Sequence, residues 1–270
     1  MKSTADKRAA FRALHAEGCF VIPNPFDAGS ARMLQHMGFA ALASSSAGYA
    51  WTTGHPDYAV TRDGVLEHLT SLCAAVDLPV NADFEAGFAR EPADVAANVR
   101  LAMATGIAGL SIEDRGGPGP LFDTAFAVER IAAARAAIDR SGEDVILVAR
   151  TETLLVDPAA ISAAIDKAVA LAEAGADCIF TPGIKAPDDI AALVRAVAPL
   201  PVNVLVLDPS LTVAQLADLG VRRISVGGGL ARAAWGGFIA AAEAIKAGAF
   251  AQLAQGAPGK QLNDIFREFL

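Results

Sequence analysis

The stretch Thr105-Gly-Ile-Ala-Gly-Leu-Ser-Ile-Glu-Asp114 decides the architecture. A glycine closes a helical segment, a short apolar run follows, and acidic residues end it. Glycine at that point is the residue that turns a chain out of a helix toward the next strand. The same grammar returns in Ala174-Gly-Ala-Asp-Cys-Ile-Phe-Thr181 and in Leu219-Gly-Val-Arg-Arg-Ile-Ser-Val226. Working outward, β-like runs fall at 20–22, 40–43, 78–83, 109–113, 145–150, 178–181, 202–205 and 223–226. Their spacing is that of repeated strand–helix units. Their small and β-branched residues suit strands buried on both faces of a parallel sheet.

The segments between them carry helical periodicity. In 62–75, Val65, Leu66, Leu69, Leu72 and Cys73 form one stripe, and 92–104 opens on a proline suited to a first helical turn. Helices are also expected at 124–138, 157–174, 187–197, 212–219 and 231–247, with Asp157-Pro158 read as N-cap and first helical residue. Eight such units within 270 residues predict an α/β fold, a (β/α)8 barrel, as one domain spanning 1–270. An N-terminal helix over about 4–16 is expected to cap the barrel bottom, and a helical tail to follow the barrel.

Composition excludes several classes. Hydrophobic residues make up 53% and charged residues 19%, enough apolar matter for a substantial core. Thirty acids against 22 bases give a net charge of −8 without a long basic run, which argues against nucleic acid or an anionic membrane as partner. No run of about 20 apolar residues suits a membrane span. The charged N-terminus does not read as a signal peptide. Cys19, Cys73 and Cys178 are too sparse for a disulfide framework, and a cytoplasmic location is expected.

In a parallel barrel the chemistry sits at the carboxyl ends of the strands. Polar residues collect there: Asn24 and Asp27 after the first run, Ser44-Ser45-Ser46 after the second, Asn81, Asp83 and Glu85 on the third, and Glu113-Asp114-Arg115 on the fourth. Arg150-Thr151-Glu152, Thr181, Asn203 and Gly227-Gly228-Gly229 complete the ring. Asp83 and Glu85 point to one side of an extended chain, and Glu113 ends the neighbouring strand. Three carboxylates at one mouth repel one another unless a cation intervenes, and oxygen-only ligands favour Mg²⁺ or Mn²⁺. The same acids also read as a solvated loop or as partners of Arg90 or Arg115. Arg150 closes the apolar strand Val-Ile-Leu-Val-Ala and needs an anion. That anion is either Glu152 or Glu113 in a buried ion pair, or a substrate carboxylate.

Ser44 to Gly48 offers hydroxyls and backbone N–H groups for a carboxylate or phosphate oxygen, or is a capped polar turn. The glycine run 227–229 reads as a phosphate cradle or a tight strand-to-helix turn. Lys2, Lys7, Lys167, Lys185, Lys246 and Lys260 do not end predicted strands, which disfavours a Schiff-base aldolase. His15, His36 and His68 are read as surface or helix-packing residues, His55 as within reach of the site, and Cys178 as a buried structural thiol.

The segments Asn24-Pro-Phe-Asp-Ala-Gly-Ser-Ala-Arg32, Ser44-Ser-Ser-Ala-Gly48, Asn81-Ala-Asp-Phe-Glu-Ala-Gly87, Ile112-Glu-Asp114, Ala149-Arg-Thr-Glu152 and Ala174-Gly-Ala-Asp177 occur in an order that resembles the isocitrate lyase and phosphoenolpyruvate mutase superfamily. The likeness runs from about residue 18 to 245. It implies a barrel binding Mg²⁺ and a 2-oxo acid or its enolate. By position, Asp83, Glu85 and Glu113 correspond to metal-site carboxylates, with Asp57 as an outer one. Ser44, Ser45, Ser46, Gly48, Arg150 and Asn203 correspond to the substrate site, and Arg150, Asp57 and Glu113 to catalytic positions. The resemblance further implies a homotetramer built from dimers that exchange their last barrel helix. In the tail 261–270, Leu262, Ile265, Phe266 and Phe269 share one face that wants a partner.

The departures bear on the reaction. Lyases of this superfamily carry a Lys-Lys/Arg-Cys-Gly-His loop after the fourth strand. Here the loop reads Arg115-Gly-Gly-Pro-Gly-Pro-Leu-Phe-Asp123, without Cys, Lys or His. The Asn- and Lys/Arg-containing loop of the phosphonomutases is absent too, and their strand-six histidine falls near Pro182. The expected activity is Mg²⁺-dependent carbon–carbon cleavage of a small 2-oxo or 2-hydroxy di- or tricarboxylic acid. That means a reaction like that of oxaloacetate decarboxylase or methylisocitrate lyase, through a metal-stabilised enolate. The alternatives are phosphorus–carbon chemistry on phosphonopyruvate, with Arg115 as its basic loop residue, and an oxo-acid-binding barrel without turnover.

Overall fold

The structure, a computed structural model, describes residues 2–206 and 210–270. Strands β1 (Phe20–Ile22), β2 (Leu42–Ala43), β3 (Val80–Asp83), β4 (Gly109–Glu113), β5 (Ile146–Arg150), β6 (Cys178–Phe180), β7 (Val202–Leu205) and β8 (Arg223–Ser225) are all parallel, in the order β1-β8-β7-β6-β5-β4-β3-β2. Between the two ends of that order, Ala43 N donates to Pro23 O at 3.1 Å, so the sheet closes into a barrel. All eight expected strands are present. β1, β4 and β7 have the expected bounds; the others are trimmed by one or two residues.

The helices are α1 (Thr4–Ala16), α2 (Ala28–His36), α3 (Ser46–Thr52), α4 (Arg62–Ala75), α5 (Pro92–Ala104), α6 (Thr124–Ser141), α7 (Thr153–Val156), α8 (Ile161–Glu173), α9 (Pro187–Ala196), α10 (Val213–Asp218), α11 (Gly229–Lys246) and α12 (Gly259–Arg267). Gly106, Gly175 and Gly220 hold φ of 92°, 101° and 87°, the left-handed conformation their place after a helix requires. The expected N-cap at Asp157 is overturned. Asp157 closes α7 instead, its carboxylate accepts from Ala159 N at 3.0 Å, and α8 begins only at Ile161. The local carboxylate turn competes with helix initiation and wins.

Helix α1 seals the barrel bottom. Phe11 is fully buried and packs edge-on against His15 and Phe20. Gly109 makes room for it: a Cβ there would lie 2.7 Å from the Phe11 ring. Lys7 donates to the carbonyls of Cys73 and Val76, and Arg8 to those of Met103 and Ile107, which pins α1 to the barrel.

The other end of the chain behaves differently. Of α11, Ala231 is buried, while Trp235, Phe238, Ile239 and Ile245 are exposed. Helix α12 returns to α2, burying Ile265, with His36 3.0 Å from Glu268 and Arg32 over the Phe269 ring. The apolar face of the tail thus meets its own barrel. Among the described residues no helix is long and apolar enough to cross a membrane.

Candidate active site

The register of the strands assembles the mouth. Asp83 of β3 lies beside Ser111 of β4, and Glu113 beside Arg150 of β5. Arg150 is the hub: Nη1 is 3.3 Å from Asp83 Oδ1, Nη2 3.3 Å from Glu113 Oε2, and Nε donates to Glu152 Oε1 at 2.6 Å. Burial opposes its charge, but Glu113, Glu152 and Asp83 outweigh that and hold its pKa well above the usual arginine value. Arg150 is thus paired with three acids of the mouth.

The serines serve Asp83. Ser46 donates both N and Oγ to Asp83 Oδ2 at 2.9 Å, and Asp83 N donates to Ser44 Oγ at 2.8 Å. Ser45 caps α3 by accepting from Gly48 N at 3.1 Å, so Gly48 belongs to that first turn. Gly48 also packs closely, a Cβ there lying 3.3 Å from Phe26 and from Ser45. The Ser46 amide offered to an outside anion is therefore already engaged.

Glu85, at φ 45°, and Glu113 each bury an Oε1 that has no hydrogen-bond partner among the described residues. Burial, then the charges of Asp83 and Asp57, push Glu85 up to about 8. Glu113 also rises to about 8 through burial, aided by Glu152 and Asp83 and opposed by Arg150. Asp57 is raised as well, by burial and by Asp83. Tyr58, which the sequence reading did not single out, lies close to Glu113, and burial and these carboxylates keep its phenol protonated.

Among the described residues no three His, Cys, Asp or Glu side chains stand close enough to hold an ion directly. Arg150 stands between Asp83 and Glu113, one Nη 3.3 Å from each. The donor set still fits a hydrated hard cation: it is all oxygen, and two of its oxygens are buried without a partner. Mg²⁺ commonly keeps several waters, which such oxygens can accept from.

A cavity of about 130 Å³ opens beside these acids. Ser44, Ser45, Ser46, Asp57, Asp83 and Arg150 line it, together with Asn81, Ser111, Arg223 and Ser225. Asn203 is not on that wall. It accepts from Arg223 Nε at 3.0 Å and donates to Ser225 Oγ at 3.0 Å. A larger chamber of about 760 Å³ adjoins Tyr58 and Glu85 and is walled by Phe88, Arg90, Phe122, Phe126 and the loop after β4. That loop folds on itself: Arg115 pairs with Leu121 and donates to Gly119 O at 2.7 Å and Pro118 O at 3.1 Å.

Other expected residues lie elsewhere. His55 meets Thr53 Oγ1 and faces a groove with Trp51, Arg232 and Trp235. The amides of Val226 and Gly227 donate to Asn24 Oδ1 at 3.0 and 2.9 Å, so the glycine run is a turn clasped by β1's own loop. Cys178 is fully buried, in keeping with a structural thiol.

Residues 11–246 match the family model "Phosphoenolpyruvate phosphomutase". The chain is 32% identical over 227 residues to an oxaloacetate decarboxylase of Pseudomonas paraeruginosa, covering 80% of this chain and 77% of that one. It is 34% identical over 184 residues to the 2-methylisocitrate lyase of Escherichia coli, covering 65% and 62%. A crystal structure of a provisional lyase or mutase from Burkholderia cenocepacia J2315 superposes with a TM-score of 0.94 at 45% identity, covering 98% and 97%.

Proposed function

The chain belongs to the phosphoenolpyruvate mutase and isocitrate lyase superfamily, and from that premise we propose that it is a Mg²⁺-dependent carbon–carbon lyase of a small 2-oxo or 2-hydroxy di- or tricarboxylic acid. The observation that carries the reading is the pair of partnerless buried oxygens, Glu85 Oε1 and Glu113 Oε1, beside Asp83 and a cavity of metabolite size. Asp83, Glu85 and Glu113 would hold Mg²⁺ or Mn²⁺, through water where their separation requires it. When bound, the ion supplies the electron sink for bond cleavage next to a 2-oxo group.

The chain's own groups do the rest. Arg150 pairs with Asp83 and Glu113 and keeps them aligned. Ser44 and Ser46 fix the Asp83 carboxylate. Asp57, raised in pKa and on the cavity wall, returns a proton to the substrate carbon left by cleavage. Phosphorus–carbon chemistry finds less support, because its basic loop residue Arg115 spends Nε and Nη2 on its own loop. An NMR screen with Mg²⁺ and oxaloacetate, 2-methylisocitrate, isocitrate and phosphonopyruvate tests the reading. Turnover of one of the first three is expected; four intact acids with tight oxalate binding would leave a binding barrel instead.

The bare apolar face of α11 supports a second part of the proposal, exchange of that helix between subunits in a dimer of dimers. Phe238→Asp is expected to lower the mass seen by light scattering. Residues 1–270 would then unfold as one barrel domain in each subunit.

A further inference from the structure

Strand β8 begins with an arginine inside the barrel. Arg223 is 2% exposed, and its tip reaches the cavity floor with Asn81, Ser111 and Ser225. Its fork is fixed by neutral groups: Nε donates to Asn203 Oδ1 at 3.0 Å and Nη1 to Asn81 Oδ1 at 3.3 Å, above the Phe11 ring at 5.9 Å. The one group whose charge would favour it is the Cys178 thiol, and burial pushes that thiol up to about 11, so it is neutral. Among the described residues the ion pairs of the site all belong to Arg150. A buried guanidinium without a counter-charge is held at a cost that an anion would relieve.

Ser225 fits the same purpose. Its Oγ accepts from Asn203 Nδ2, which leaves its own hydroxyl hydrogen free to point elsewhere. The floor therefore presents a guanidinium and a hydroxyl donor in a space too small for anything but a compact ligand. The rim, by contrast, is acidic.

We propose that Arg223, with Ser225, is the group that receives a carboxylate of the small acid, at the floor of the cavity beneath the Asp83 rim. This rests on the oxo-acid reading above and gives the cavity a second anionic anchor, Arg223, beneath Arg150. A ligand anchored so deep is a short acid whose carboxylate enters first. A planar fork matches a carboxylate with two parallel hydrogen bonds, which a lysine point charge does not.

Titration calorimetry with oxalate, with and without Mg²⁺, on the full-length wild type, Arg223→Gln and Arg223→Lys tests this. Arg223→Gln is expected to weaken oxalate at least tenfold under both conditions, while the ligand-free protein melts at the same temperature or higher. Arg223→Lys is expected to lose several-fold. Oxalate affinity equal to wild type in Arg223→Gln, or a lower ligand-free melting temperature with unchanged affinity, would make Arg223 a structural tie and overturn the assignment alone. If Arg223→Gln does not fold, Arg223→Lys decides, and wild-type affinity in it overturns the proposal. A wild type that binds no oxalate overturns the oxo-acid reading together with it.

Discussion

Arg150 and Arg223 project into one cavity and are both shielded from solvent, yet their charges are met in opposite ways. Arg150 is gripped by Asp83, Glu113 and Glu152. Arg223 rests on the amide oxygens of Asn203 and Asn81. The first is a staple that keeps acids together at the rim; the second is a cation looking for an anion at the floor. Burial alone does not distinguish such roles, and the accounting of charge around each group does.

The largest effect should follow from breaking the staple. Arg150→Met leaves three acids uncompensated and is expected to cost about 3–5 kcal/mol in urea unfolding. Arg223→Gln is expected to cost nothing; equal losses would erase the contrast. Next, Asp83→Ala should reduce Mg²⁺-dependent oxalate affinity on the order of 100-fold by calorimetry. Unchanged affinity would detach the rim from any cation.

At the floor, Phe11→Leu keeps an apolar plug and should cost about 1 kcal/mol in urea. A smaller loss would mean that α1 does not support Arg223 from below. The smallest expected effect is one of pH. His15 is depressed to about 3, by burial and then by the charge of Arg223. A depressed folded pKa contributes stability that is present above the unfolded value of 6.5 and lost as pH falls toward 3. Between pH 7 and 6 the loss is about 0.7 kcal/mol, and His15→Gln should abolish that increment.

Much of the barrel is legible in the sequence because strand–helix alternation and C-terminal glycines are local signals. β1 and β4 could be bounded from apolar runs that end in a polar residue or proline. The start of α8 could not, since Asp157-Pro158 suits a helix cap and a closed carboxylate turn equally well. Helix α3 was hidden in a serine run that reads as loop, and its capping by Ser45 emerges only with Gly48 packed beneath Phe26. Asp83, Glu113 and Arg150 gather as their strand ends predict, but the insertion of Arg150 among the acids depends on register and side-chain reach. Arg223 was missed because it opens the expected strand 223–226 instead of ending it. Its signal was there in the period of two, which puts Arg223 and Ser225 on the same side of a strand whose neighbours are apolar.

The closure of the barrel has a consequence for its breathing. Strand β1 shares three registered residue pairs with β8, whereas toward β2 the Ala43–Pro23 bond and the Asn24 side chain on Ser44 O span the gap. Amide protons along this seam should therefore trade with deuterium sooner than those of β4 and β5, and the wall should part there before it parts anywhere opposite.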